Sequence, residues 1–195
     1  GGLEGAIEAH PVPSLVAALA QLYRTQGKPD EAAALVQRMV KAHPHQPGYA
    51  IAADVELSAQ KKSALDLGIL QAAAAANPRS EALALLLARR LSTGGGAEES
   101  AAVAGLQAFI ARNGATTDRL YALSHLLSQV GQDAAAEGTL QQVLTLLPTH
   151  RGANNDLGFY WADAGRNLEQ AEGMVKKALE AEPYNGAYLD SLGWV

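Results

Sequence analysis

Five prolines recur along the 195-residue chain at nearly constant spacing, and each follows an apolar segment. They are Pro11, Pro44, Pro78, Pro148 and Pro183. Their separations are 33, 34, 70 and 35 residues, and Asn113-Gly114 stands where the 70-residue interval would be halved. Proline ends a helix because it lacks an N–H, and glycine ends one by adopting a left-handed conformation. A period near 34 residues is typical of a helical solenoid.

The apolar spacing inside one period predicts two helices joined by a short turn. Between Pro11 and Pro44 the two predicted apolar stripes are Leu15, Leu19, Leu22 and Tyr23, then Ala32, Leu35, Val36, Met39 and Val40. Gly27-Lys28-Pro29 is the turn, and Pro29 begins the second helix, where its missing N–H costs nothing. No strand is predicted, because β-branched residues are scattered and alanine-rich runs favour helix.

Composition narrows the class of protein further. Hydrophobic residues make up 48% of the chain and aromatic residues only 5%, so small aliphatic side chains must fill the core. The formal charge is −5, so the chain lacks the excess of basic residues that is typical of a nucleic-acid-binding protein. Without cysteine there is no disulfide, thiolate metal site or thiol catalysis. Apolar runs such as 82–88 are far shorter than the ~20 residues of a membrane span.

Three copies of one motif lie in phase with the prolines. The fullest copy comprises Asn154, Leu157, Gly158, Trp161, Ala171, Val175 and Pro183. The others run from Val16 to Pro44 and from Leu120 to Pro148. This pattern resembles the tetratricopeptide repeat, whose signature is W-x2-L-G-x2-Y, then A-x3-F, then P. Small residues at the shared positions, such as Ala20 and Ala136, let paired helices approach closely.

The resemblance implies an all-α, right-handed superhelical solenoid of antiparallel helix pairs, forming a single array over residues 1–195. The predicted repeats are a partial repeat 1–12, full repeats 13–46, 47–80, 81–116, 117–150 and 151–185, and a partial repeat 186–195. The cut repeats lead us to expect that the parent protein continues in both directions. Asp66 stands where a small residue is usual, and Gly94-Gly95-Gly96 lengthens one turn. We expect looser packing at both places and a hinge at the triple glycine.

The boundary between the last two predicted repeats is more particular. It reads Ala178-Leu179, Pro183, Asn185 and Ala187, followed by the segment LDSLGW from Leu189 to Trp194. It is similar to bacterial tetratricopeptide proteins, many of which are exported or lipid-anchored scaffolds. The resemblance implies a bacterial source and leaves the compartment open between cytoplasm and periplasm or envelope.

The sequence offers little for catalysis. His43-Pro44-His45 has no carboxylate at ligand spacing, so we interpret it as a helix-end pair rather than a metal site. Ser124 and His125 are adjacent on a helix and point in different directions, which does not suit a nucleophile and its base. The triple glycine lacks the Lys-Ser/Thr of a phosphate-binding loop. We therefore predict no catalytic, cofactor-binding or metal-binding residue, and no enzymatic activity.

In the family that the chain resembles, the first helices of successive repeats line a concave groove that holds an extended peptide or a partner's helix. Carried over by position, the candidate groove residues are Gln21, Arg24, Arg89, Tyr121, His125, Asn155, Phe159, Asp163 and Trp194. Each has a structural alternative: the three aromatic residues pack against the next repeat, Asn155 caps a helix with Asn154, and the two arginines are solvated charges. The Lys/Asn/Arg set with which chaperone-binding members clamp a terminal carboxylate is absent.

The sequence thus predicts a non-enzymatic scaffold that binds a peptide or a partner protein in the concave groove, with no cofactor and no nucleic acid. Three alternatives stay open. The chain is the substrate-recruiting region of a larger enzyme, it self-associates through exposed repeat ends, or it belongs to a bacterial envelope, export or secretion complex.

Overall fold

The computed structural model describes residues 12–59 and 65–195, and all regular structure in those ranges is α-helical. The helices are α1 (Pro13–Thr25), α2 (Pro29–Ala42), α3 (Pro47–Ala59), α4 (Leu67–Ala76), α5 (Glu81–Leu91), α6 (Ala97–Asn113), α7 (Thr117–Gln129), α8 (Asp133–Leu146), α9 (Arg151–Asp163), α10 (Leu168–Ala181) and α11 (Gly186–Trp194). The predicted all-α helical-repeat fold is confirmed. Residues 1–11 of the predicted partial repeat 1–12 lie outside the described residues.

The helices belong to two compact units, which we call the N-terminal unit and the C-terminal unit. The first ends at Thr93 and the second begins at Gly94, so the predicted repeat 81–116 is divided between them. The division falls at the triple glycine, where Gly95 and Gly96 have φ angles of 79° and 53°. Residues with a Cβ rarely adopt such angles, so this turn requires glycine.

Local chemistry decides where the helices begin. The first three begin at Pro13, Pro29 and Pro47, where no intrahelical N–H is needed. The expectation that Asp66 replaces a small packing residue of the second helix is wrong. Helix α4 begins only at Leu67, and the Asp66 side chain accepts a hydrogen bond from the Ile69 N–H at 3.1 Å as its N-cap. A short carboxylate is favoured there because it satisfies a backbone donor that has no partner inside the helix.

The N-terminal unit packs α1–α5 around a core of small and aliphatic side chains. Ala20 and Ala32 are fully buried, as expected for positions where paired helices approach closely. Their neighbours in the core include Val16, Leu19 and Val36. The core therefore relies mainly on small and aliphatic side chains, with Tyr49 as a buried aromatic exception.

The C-terminal unit packs α6–α11 in the same way, and Gly158 marks a close approach between two of its helices. A Cβ added at Gly158 on α9 would lie 2.9 Å from the Ala171 carbonyl oxygen and 2.8 Å from Val175 Cγ2 on α10. Ala136 and Ala171 are fully buried in this unit. The glycine of the sequence motif is thus required by the contact between α9 and α10.

A partly buried carboxylate on α8 links that helix to the end of α9 and the loop after it. Glu137 accepts a hydrogen bond from Trp161 Nε1 at 2.9 Å and pairs with the Arg166 guanidinium. Burial acts to raise the pKa of Glu137, but the hydrogen bonds from Trp161 and Arg166 and the charge of Arg166 outweigh it, so its pKa is lowered. The ionised carboxylate therefore stabilises this unit.

Candidate functional site

The C-terminal unit carries a groove of ≈ 550 Å³ between α7, α9 and α11, the first helices of three successive predicted repeats. Its lining residues are Ser124, His125, Ser128, Leu140, Asn155, Asp156, Phe159, Tyr160, Ala187, Asp190, Ser191 and Trp194. The size is within the range of pockets that hold a small molecule or a few side chains of a peptide.

Two large aromatic side chains on the groove are exposed. Phe159 on α9 is 40% exposed and Trp194 on α11 is 63% exposed. Their ring centroids are 6.5 Å apart. Aromatic side chains exposed beside a groove are typical anchors for a binding partner, because they offer a large, rigid contact area.

A polar cluster lies where α7 meets α9, and its members His125 and Asp156 line the groove. The Tyr121 hydroxyl donates a hydrogen bond to Asp156 Oδ2 at 2.8 Å, and His125 Nε2 lies 3.6 Å from the same oxygen. The Tyr121 ring packs against His125 and His150, with centroids 4.4 and 4.6 Å away. Burial, then the charge and the hydrogen bond of Asp156, raise the Tyr121 pKa far above its usual value. Tyr121 therefore supports the wall of the groove as a neutral donor.

Glycine makes room for that tyrosine. A Cβ on Gly152 would lie 2.3 Å from the Tyr121 hydroxyl oxygen. Any larger residue at position 152 would therefore displace the Tyr121 side chain from its place against α9. Tyr121 contacts Asp156 on α9 and His150 in the loop just before α9. These residues belong to the next repeat, which agrees with the alternative that Tyr121 packs against that repeat.

Asn155 has an unusual environment on α9. It is only 7% exposed, and its Nδ2 donates to Asp156 Oδ1 at 3.1 Å. Its Oδ1 is buried and accepts no hydrogen bond from any described residue. A buried acceptor without a donor costs free energy and calls for an explanation.

The alternative that Asn155 caps α9 is wrong. His150 Nδ1 accepts the N–H of Ala153 at 3.0 Å and is the cap of this helix. Asn154 Nδ2 donates to the carbonyl oxygens of Pro148 and His150. The start of α9 is therefore satisfied without Asn155, and the Asn155 side chain lines the groove instead.

The remaining sequence candidates lie elsewhere. Arg89 lines a smaller groove of ≈ 310 Å³ in the N-terminal unit, together with exposed Ile51 and Val55, and its Nη2 lies 2.7 Å from Asp54 Oδ2. Arg24 Nε lies 2.7 Å from Glu56 Oε1. The alternative that these arginines are merely solvated charges is therefore wrong, because each pairs with a carboxylate on α3.

Two further candidates do not line either groove. Gln21 on α1 and Asp163 at the end of α9 are exposed, and neither is among the lining residues of the grooves described above. Of the sequence candidates, His125, Asn155, Phe159 and Trp194 come together in the groove of the C-terminal unit, with Tyr121 behind them.

Sequence reasoning missed Asp156, which holds the polar cluster together. One signal for it was available: Tyr121 and Asp156 are separated by 35 residues, about one period. The pair of Asp54 and Arg89 has the same separation. Residues one period apart lie side by side on neighbouring first helices, so complementary polar pairs at that spacing indicate contacts between repeats.

Metal sites and membrane spans are two other features that bear on function. Among residues 12–59 and 65–195, no group of three or more His, Cys, Asp or Glu side chains is arranged to hold a metal ion. In the same ranges no helix has the length and hydropathy needed to cross a membrane.

Known proteins share the repeat pattern and the fold of this chain. Residues 13–53 match the family model of the tetratricopeptide repeat, which supports the resemblance seen in the sequence. No curated protein matches the chain. The helical-repeat fold is nevertheless shared with several solved tetratricopeptide-repeat structures.

Three of those structures have a TM-score of 0.63 each. MamA is 21% identical, and the match covers 84% of this chain and 94% of that one. YrrB, described as a TPR protein with an unusual peptide-binding site, is 18% identical over 98% and 97%. TTC0263, a thermophilic TPR protein from Thermus thermophilus, is 19% identical over 94% and 98%. At such identities the likeness shows the fold, which is that of tetratricopeptide-repeat proteins.

Proposed function

We propose that this chain is a non-enzymatic scaffold that binds a segment of a partner protein in the groove between α7, α9 and α11. The observation that carries the proposal is the pairing of exposed Phe159 and Trp194 with the buried, unsatisfied amide oxygen of Asn155. The aromatic rings supply contact area, and the amide supplies a directional polar contact, which together are the usual elements of a binding site.

One comparison supports the proposal, and the sequence adds a proposal about the source of the protein. YrrB, which has the same fold, is described as having a peptide-binding site. The LDSLGW boundary in this chain also favours a bacterial source, as the sequence resemblance implied. Recruitment of a substrate for a larger enzyme and membership of an envelope or secretion complex are both uses of the same groove, and the identity of the bound segment distinguishes them.

The proposal is tested by selecting peptides from a random library of about 12 residues displayed on phage, with the purified chain immobilised. We expect enrichment on the wild type and loss of the enriched peptides on the Phe159→Ala/Trp194→Ala variant. The matched control is Leu168→Ala/Tyr184→Ala, which removes two exposed apolar side chains of the same unit from outside the groove. Circular dichroism of all three proteins checks that the helices are retained.

Equal retention by wild type and groove variant would place binding elsewhere on the chain. Loss on the control variant with retention on the groove variant would contradict the proposal in the same way. A library that yields no peptide preferring wild type over the groove variant would refute it.

A further inference from the structure

We propose that the groove of the C-terminal unit selects a basic side chain, arginine or lysine, presented by the bound segment. The cation would lie by Asp156 and Asp190, its stem against Phe159 and Trp194, and one of its N–H groups on Asn155 Oδ1. This inference rests on the proposed function and names the chemistry of its ligand.

Charge is the first argument. The groove is lined by Asp156 and Asp190 and by His125, whose Nε2 lies 3.6 Å from Asp156 Oδ2, whereas none of its described lining residues is lysine or arginine. Asp156 also accepts hydrogen bonds from Tyr121 and Asn155, so Asp190 is the main carboxylate offered to a ligand. Two arginines of the same unit are paired with carboxylates: Arg151 Nε lies 2.8 Å from Glu182 Oε1, and Arg166 contacts Glu137. A cationic group is therefore the complementary ligand, and an acidic one would be repelled.

Asn155 supplies the second, independent argument. Its Nδ2 donates to the Asp156 carboxylate, and this contact fixes the orientation of the amide because a flipped amide would set two oxygens against each other. The unsatisfied atom is therefore Oδ1, an acceptor buried with the rest of the side chain. An ionised carboxylate has no donor to offer this oxygen, whereas ammonium and guanidinium groups carry only donors. The amide therefore disfavours an anion and calls for a donor, and the aspartates favour a donor that is a cation.

The aromatic pair is the third argument. Phe159 and Trp194 lie on the same groove as the two aspartates, with ring centroids 6.5 Å apart. Lysine and arginine have long apolar stems that pack on such rings, and their charged ends are attracted to ring faces. A short neutral polar side chain can donate to a carboxylate but is too small to cover the two rings, and it carries no charge to complement the aspartates. Arginine matches best, because its planar fork both stacks and donates in several directions.

The peptide selection described above tests this inference when its products are analysed by charge. We expect arginine and lysine to be enriched over the unselected library at one position of the selected peptides. The strongest peptide is then synthesised with that residue as arginine and, separately, as citrulline, which keeps the shape and removes the charge. Fluorescence polarisation should show about tenfold weaker binding of the citrulline peptide.

Variants of the protein locate the effect. Asp190→Asn should weaken binding of the arginine peptide and leave binding of the citrulline peptide nearly unchanged. The matched control is Glu180→Gln, which removes one negative charge from an exposed position of α10 outside the groove and should change neither affinity. This comparison separates local recognition from attraction by the net charge of −5.

The outcomes distinguish the inference from the proposed function. Enrichment of neutral or acidic peptides that depend on Phe159 and Trp194 would overturn the inference and keep the scaffold. Equal affinities of the arginine and citrulline peptides, or equal effects of Asp190→Asn and Glu180→Gln, would also overturn it. Absence of any peptide that depends on the two aromatic residues would refute the proposed function and the inference together.

Discussion

Substitution of Gly158 by alanine tests the helix packing that builds the groove. Two effects oppose each other. Alanine is the better helix former and would by itself stabilise α9 by roughly 0.5–1 kcal/mol. Its Cβ, however, would lie 2.9 Å from the Ala171 carbonyl oxygen and 2.8 Å from Val175 Cγ2. The first of these atoms belongs to the backbone of α10 and cannot rotate away, so the helices must separate at a cost of roughly 1–3 kcal/mol.

We therefore expect Gly158→Ala to lower the free energy of unfolding of the C-terminal unit by about 1–2 kcal/mol. The matched control is Gly173→Ala on α10, where a Cβ meets nothing within 4 Å in the described part of the chain. That variant should gain stability through helix propensity alone.

Urea unfolding followed by tryptophan fluorescence suits this comparison, because both tryptophans of the chain, Trp161 and Trp194, lie in the C-terminal unit. The signal therefore reports that unit without interference from the other. If Gly158→Ala were as stable as Gly173→Ala, the close approach of α9 and α10 would be refuted as the reason for glycine at position 158.

Three further predictions concern polar contacts. Glu137→Gln should destabilise the C-terminal unit by about 1–3 kcal/mol at neutral pH. Because folding lowers the pKa of Glu137 from 4.5, its contribution to the free energy of unfolding is present above that value and lost as the pH falls through the folded pKa. Urea titrations from neutral pH down to about pH 3 should therefore show that the stability of the variant changes less with pH than that of the wild type. Tyr121→Phe should cost about 1–2 kcal/mol by removing the donor to Asp156, whereas Tyr184→Phe, at a residue 95% exposed, should have no effect in the same assay. Asp66→Ala should lower stability by about 0.5–2 kcal/mol in thermal melts by losing the α4 cap, and Asp66→Asn should retain most of it.

The fold could be predicted from the sequence because its signals are local. The recurring prolines and Asn113-Gly114 mark helix ends through local backbone chemistry, and the resulting period fixes helix pairs without knowledge of distant contacts. The positions that require small residues followed from the same repeat period. Ala32 is fully buried, and Gly158 lies where α9 contacts α10. Asp66 shows the limit of this reasoning, since a capping side chain can shift the start of a helix within an otherwise regular period.

The site was predictable in part. Phase alone placed Phe159 and Trp194 on first helices, and both line the groove. Phase could not assign Asp156, because its role depends on the hydroxyl of Tyr121 from the preceding first helix. The unsatisfied oxygen of Asn155 was equally hidden, since it depends on the orientation that Asp156 imposes on the amide.

In the binding function proposed above, the aromatic and polar parts of the groove would make different contributions. Phe159 and Trp194 favour any ligand that covers them, because the free energy of apolar burial depends on area and hardly on direction. Asn155 discriminates, because a ligand that seals the groove without offering a donor leaves Oδ1 unsatisfied and cut off from water. That omission costs about 1–3 kcal/mol, which corresponds to roughly a five- to 150-fold preference for the ligand that supplies the donor. Under the proposed function, the buried amide thus exchanges some stability of the free chain for selectivity towards the bound segment.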